Sequence, residues 1–130
     1  MTDLVFTPLA DLARMIAAKQ VSPMEVVSAH LARIDALDGK LRAFITVMRE
    51  SAVDAARAAE ARVVAGDRLG PLHGVPIGLK DLYHTKDAPT TGGSKILAGG
   101  GPTEDATVVA RLRAAGAIVL GKLNMHEFAY

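Results

Sequence analysis

The segment GPLHGVPIGLKD, residues 70–81, delivers Lys80 at the end of an apolar run studded with glycine and proline. A lysine withdrawn from water is costly unless it finds a partner or gives up its proton, and lysines placed that way often serve as bases. Gly74, Pro76 and Gly78 let the backbone approach its neighbours, and Val75, Ile77 and Leu79 give the ammonium an apolar lead-in. Loss of water there favours the neutral amine that general-base chemistry needs. The competing reading is an exposed lysine at a strand end, the common state of lysines.

Other residues offer weaker chemistry. TTGGS, residues 90–94, superficially echoes a Gly-Gly-Ser nucleophile turn, and a triad of Ser94, His84 and an aspartate, Asp81 or Asp87, can be drawn from the residues. Nearness in sequence is not triad geometry, however, and a tight loop accounts for the same segment. His30, His73, His84 and His126 show no zinc spacing, so no metal is expected. The run Gly99 to Gly101 lacks both a Walker lysine and the GxGxxG spacing and reads as a loop. His126-Glu127 reads as a solvated helix start, and Met125, Phe128 and Tyr130 as core residues before ligand contacts.

These residues need elements to position them. Thr7-Pro8 reads as a cap with proline in the first turn, opening a helix to about Gln20 with Leu9, Leu12 and Ile16 on its apolar face. Ser22-Pro23-Met24-Glu25 has the form of a capping box, and Val26, Val27, His30, Leu31, Ile34 and Leu37 continue at helical spacing to a stop at Gly39. Residues 43–48, AFITVM, form a strand candidate, followed by an alanine-rich helix from about Ser51 to Ala65 that Gly66 closes and that reads as largely solvated. From Gly70 to Pro102 glycine and proline crowd the chain around a strand at Val75 to Leu79. Asp105 is placed to cap a helix running to Gly116, and AIVLGK from Ala117 reads as a buried strand, parallel to the first with the helix as crossover. Asn124 then starts what looks like another capped helix, which the chain cuts short.

The whole is expected to be α/β and a single domain over residues 1–130. Residues 1–66 are mainly helical, and residues 67–130 form a β/α part that carries the lysine motif. With 130 residues, half of them hydrophobic and 22% charged, the composition is that of a folded chain, and 4% aromatics make the core aliphatic. A net charge of +1 and no basic run interleaved with aromatics argue against direct nucleic-acid binding. The absence of cysteine removes disulfides and thiolate chemistry and fits a reducing cytoplasm, and no signal pattern or membrane span is legible.

GPLHGVPIGLKD, then PTTGGSKILAG, then EDATVVARLRAAGAIVLGKLNMHEFAY, in that order, resemble the amino-terminal part of the amidase signature family. That family includes acylamide hydrolases and the A subunit of tRNA-dependent amidotransferases. The resemblance implies the N-terminal portion of the amidase signature fold, with helices packed on a small mixed or parallel sheet. It implies hydrolysis of carboxylic acid amides through a Ser, cis-Ser, Lys triad, with Lys80 as proton acceptor, no cofactor, and a small-molecule amide or ester as substrate. TTGGS becomes a backbone segment near the site, and Phe128 and Tyr130 become walls of the acyl pocket. The family's serine-rich signature lies downstream of the NMHEFAY segment, so the chain is expected to be truncated and, alone, close to inert. Two rival expectations stand beside this one. In the first, a short non-catalytic chain covers its sheet edge by forming a homodimer; in the second, a minimal esterase or amidase is built on Lys80 or Ser94.

Overall fold

The computed structural model describes residues 3–67 and 69–130. Among these residues four α-helices and three strands follow one another as α1 (Leu9–Ala17), α2 (Pro23–Leu41), β1 (Phe44–Val47), α3 (Arg49–Ala65), β2 (Pro76–Lys80), α4 (Thr107–Ala114) and β3 (Ile118–Leu123). The sheet order is β1-β3-β2, with β1 antiparallel and β2 parallel to the central β3. This is the mixed α/β architecture expected, including the parallel β2–β3 pair with α4 in the crossover.

The capping box at the head of α2 forms as its sequence requires. Ser22 Oγ accepts the amide of Glu25 at 3.1 Å, and the Glu25 carboxylate accepts the amide of Ser22 at 2.8 Å. Three other end signals resolve differently. Thr7 donates its hydroxyl to the carbonyl of Asp3 and caps nothing, so α1 starts behind Pro8 without a side-chain cap. Helix α2 runs through Gly39, which lies in open space, and ends where Arg42 turns left-handed at φ 50°. There Asp38 Oδ1 accepts the amides of Ala43 and Phe44 at 2.7 and 3.1 Å, catching the chain as it leaves the helix. Asp105 does not cap α4; its carboxylate accepts the amide of Lys86 at 2.9 Å and faces Arg113.

Helix α3 is largely solvated, as expected, except along one stripe. Ala52, Ala56, Ala59 and Val63 recur at helical spacing and are all buried, a narrow stripe that lets α3 lie close against Val27 and Leu31 of α2 and Ile118 and Leu120 of β3. Small side chains serve here as the contact surface of a helix whose other faces are in water. A second cluster joins Leu12 and Ile16 of α1 to Val26 and Val75. On the other face of the sheet Met48, Leu79, Val109 and Val119 form the third.

Between Ile77 and Gly78 the β2–β3 register slips: Ile77 lies opposite Val119, but Gly78 lies opposite Gly121. One extra residue of β3 is accommodated there, a bulge that reverses the inside-outside alternation beyond it. Lys122 therefore stands beside Leu79 and not with Ile118 and Leu120. At the bulge the strands approach so closely that a Cβ on Gly121 would overlap the carbonyl oxygen of Thr46. The expected helix after Asn124 is a single 3-10 turn, Glu127–Ala129, with Phe128 at φ 52°. No helix among the described residues is long and apolar enough to cross a membrane.

Candidate active site

Lys80 ends β2, and its side chain is exposed. The expectation of a desolvated ammonium at this position is thus corrected. Leu79 before it and Asp81 after it are buried, so strand alternation sends Lys80 away from the face that carries the third cluster. The backbone compression expected around it is present: a Cβ on Gly78 would lie 2.8 Å from the Leu123 side chain.

The lysine that is out of water is Lys122, fully buried and 3.0 Å from the fully buried Asp81 carboxylate. Its Nζ also donates to the carbonyl of Pro89 at 3.0 Å and to Thr90 Oγ1 at 2.8 Å. Asp81 Oδ2 accepts the amide of Thr91 at 3.1 Å and the Thr91 hydroxyl, while Oδ1 meets Lys122 at ion-pair distance without an aligned hydrogen bond. The sequence reading of AIVLGK as a buried strand contained the signal it passed over, because a lysine within a buried strand requires an acid.

From Asp81 onward the chain is braced on two sides. Thr85, fully buried, donates its hydroxyl to the carbonyl of Ala88, and the amide of Ala106 donates to the carbonyl of His84 at 3.0 Å. Arg113 of α4 holds both oxygens of Asp87 at 2.7 and 2.9 Å. The TTGGS loop comes back beside the end of β2 through the amide of Gly92, which donates to the carbonyl of Asp81 at 3.0 Å.

Ser94 is buried, and its hydroxyl donates to Glu127 Oε1 at 2.6 Å. The hydroxyl oxygen also accepts the amide of Ile96 at 3.3 Å. No hydrogen bond joins Ser94 to His84 or to an aspartate among the described residues, so the triad that could be drawn from the sequence is not assembled. TTGGS is the tight loop of the competing reading. Phe128 and Tyr130 stand largely in solvent, at 57% and 100% exposure, so neither belongs to the core of these residues. Phe128 lies against the TTGGS loop, where a Cβ on Gly92 would be 3.7 Å from its ring. Beside the same loop a cleft of about 420 Å³ is lined by His84, Thr90, Ile96, Leu97 and residues 99–102.

The family model described as amidase matches residues 25–130, and the chain belongs to that family. It is 54% identical over 129 residues to the A subunit of the glutamyl-tRNA(Gln) amidotransferase of Salinispora arenicola, a match covering 99% of this chain and 26% of that relative. Among solved structures, the native peptide amidase of Stenotrophomonas maltophilia superposes with a TM-score of 0.89 at 39% identity, over 95% of this chain and 26% of the other. A chain from a vestigial protein complex, solved in connection with the evolutionary origins of an s-triazine catabolic enzyme, superposes at 0.91 with 39% identity, over 95% of this chain and 27% of that one. The protein thus spans about a quarter of the length of the relatives it matches.

Proposed function

We infer that these residues form the lysine-bearing part of a hydrolase acting on carboxylic acid amides, with Lys80 as the general base. The observation that carries the reading is the placement of Lys80: exposed at the tip of β2, on a backbone held by buried contacts, and free of a carboxylate partner among the described residues. An amine in that position is available to a hydroxyl brought to it from elsewhere. In the Ser, cis-Ser, Lys mechanism Lys80 receives the proton relayed from the nucleophilic serine, which attacks the amide carbonyl, and the proton passes on to the leaving amine. The serine-rich signature that would supply both serines and the oxyanion donors is not among the 130 residues. Family membership supports amide substrates as a class. The names of the relatives leave two outcomes for the released ammonia or amine: loss to water, or transfer to a second acceptor within an amidotransferase.

Reading the same frame of the encoding DNA past Tyr130 and assaying its complete product with a chromogenic amide tests this. A glycine- and serine-rich segment is expected, and Lys80→Ala is expected to lower kcat by about 10²- to 10⁴-fold, the usual worth of a general base. Full activity of the Lys80→Ala protein would overturn the assignment. We expect a cytoplasmic location for the protein, tested by cell fractionation.

A second reading is favoured by one specific feature. Ile96, Leu97 and Phe128 are exposed apolar residues around the TTGGS loop, and Leu97 and Phe128 both border Gly92. Such a patch would be covered if two copies of the chain met there as a homodimer. Sedimentation equilibrium tests it, and a monomer at high concentration rules it out.

A further inference from the structure

Lys122 has three ammonium protons and no access to water, so its donors must be satisfied inside the fold. Pro89 and Thr90 supply hydrogen-bond acceptors, and the Asp81 carboxylate supplies the counter-charge. Asp81 is held at more points still. Its amide donates to the carbonyl of Leu123 at 3.1 Å, its carbonyl accepts the amide of Gly92 at 3.0 Å, and its carboxylate meets Thr91 and Lys122. The backbone amide and carbonyl of the residue directly after Lys80 and its Oδ2 are therefore hydrogen-bonded, its Oδ1 faces Lys122 at ion-pair distance, and the carbonyl of Lys80 itself accepts the amide of Tyr83 at 3.0 Å.

This arrangement does two things for Lys80. It fixes the turn from which the side chain projects, because residues 89–92 are folded back and fastened onto Asp81. It also commits the carboxylate nearest to Lys80 in sequence to a different lysine on the buried face, so that Lys80 is not neutralised by its neighbour. A buried ion pair adds little net stability, and its best use is to specify one geometry.

We propose that Asp81 and Lys122 are positioning residues for Lys80: a buried, self-neutralising latch, closed by Thr90 and Thr91, that sets the Lys80 turn and withholds the adjacent carboxylate from it. The proposal rests on the reading of Lys80 as a base, but its test uses no catalysis.

The test measures the 130-residue chain and its Lys122→Met variant in two ways. Amide hydrogen exchange at Asp81 and Gly92 is expected to speed at least ten-fold more in the variant than exchange at Ile118 in the same sheet, which reports the global loss of stability. Competitive acetylation with limiting acetic anhydride is expected to show Lys80 several-fold less reactive relative to the exposed Lys95, because the abandoned Asp81 carboxylate turns to Lys80. Combining Asp81→Asn with Lys122→Met should restore that ratio, which a merely structural role would not do. Unchanged exchange at Asp81 and Gly92, loss of protection in step with Ile118, or an unchanged acetylation ratio overturns the proposal. If Lys122→Met does not fold, the double variant, which leaves no buried charge alone, is judged by the same exchange criterion, and failure of both to fold also overturns it. Loss of the base reading itself would show only as activity surviving Lys80→Ala in the complete enzyme, leaving both of these measurements untouched.

Discussion

Ser94 and Glu127, 33 positions apart, are joined by a 2.6 Å hydrogen bond from the buried hydroxyl to the carboxylate. The bond ties the loop after β2 to the turn after β3, and the amide of Phe128 donating to the carbonyl of Gly92 at 2.8 Å ties it a second time. Replacing Ser94 by alanine removes one partner and leaves the amide of Ile96 without its acceptor. Ser94→Ala is expected to cost about 0.5–1.5 kcal/mol in urea unfolding, the usual net worth of a hydrogen bond, because Glu127 and Ile96 are exposed and can turn to water. It is expected to abolish no chemistry, since the hydroxyl is committed to structure; complete loss of turnover with unchanged stability would contradict this.

Lys122→Met removes the counter-ion of the buried Asp81 carboxylate, which must give up its place beside Thr91 to reach Lys80. A destabilisation of about 3–5 kcal/mol is expected, and the double variant with Asp81→Asn should recover a large part of it. Denaturant melts of the two singles and the double give the coupling directly.

Lys80→Ala should be silent in the same melts. Its side chain is exposed and makes no ion pair among the described residues, so the change is expected to stay within about 0.5 kcal/mol. The two lysines are thus expected to separate in these melts, Lys122 contributing to stability and Lys80 not.

Gly121→Ala introduces a methyl where the carbonyl oxygen of Thr46 already stands, and backbone cannot move aside as a flexible side chain can. The β1–β3 pairing must open locally. Overpacking of about 1–3 kcal/mol or more is expected, with amide protection lost first at Thr46 to Met48.

Ala56→Leu probes the alanine stripe of α3. Ala56 is completely buried against α2 and β3, so the larger side chain should cost about 1–3 kcal/mol, whereas Ala61→Leu on the exposed side should stay within about 0.5 kcal/mol. Equal melting points for the two variants would show that the alanine stripe is not a packed contact.

Much of the fold was legible because local chemistry and tertiary structure agreed. The Ser22–Glu25 capping box, the glycine at the end of α3 and the apolar strands β2 and β3 each declare themselves within a few residues. Where the reading failed, the deciding interaction came from elsewhere in the molecule or from an unexpected neighbour. Gly39 suggested a helix stop, but the helix ends where Asp38 can reach the amides of Ala43 and Phe44. Asp105 suggested a cap, but Lys86 and Arg113 claim it. At the site, Lys80 was located as the residue of interest, yet its burial was assigned to the wrong lysine. Strict alternation along AIVLGK puts Lys122 with Ile118 and Leu120; only the extra residue in β3 moves it beside Leu79 and within reach of Asp81. A register slip is a property of two strands together, and one strand's sequence does not display it.

The central strand is also the last of the three to be made. Among the described residues neither β1 nor β2 has another hydrogen-bonded neighbour in the sheet, so both wait for β3 before a rung of this ladder can close. On the ribosome, α1 and α2 can dock as soon as they emerge, but some seventy residues of nascent chain separate Val47 from the rung it needs at Gly121. Until then two sticky ribbons stay open to any passing strand, which makes the interval before Leu123 leaves the exit tunnel the moment when a holding chaperone has most to guard.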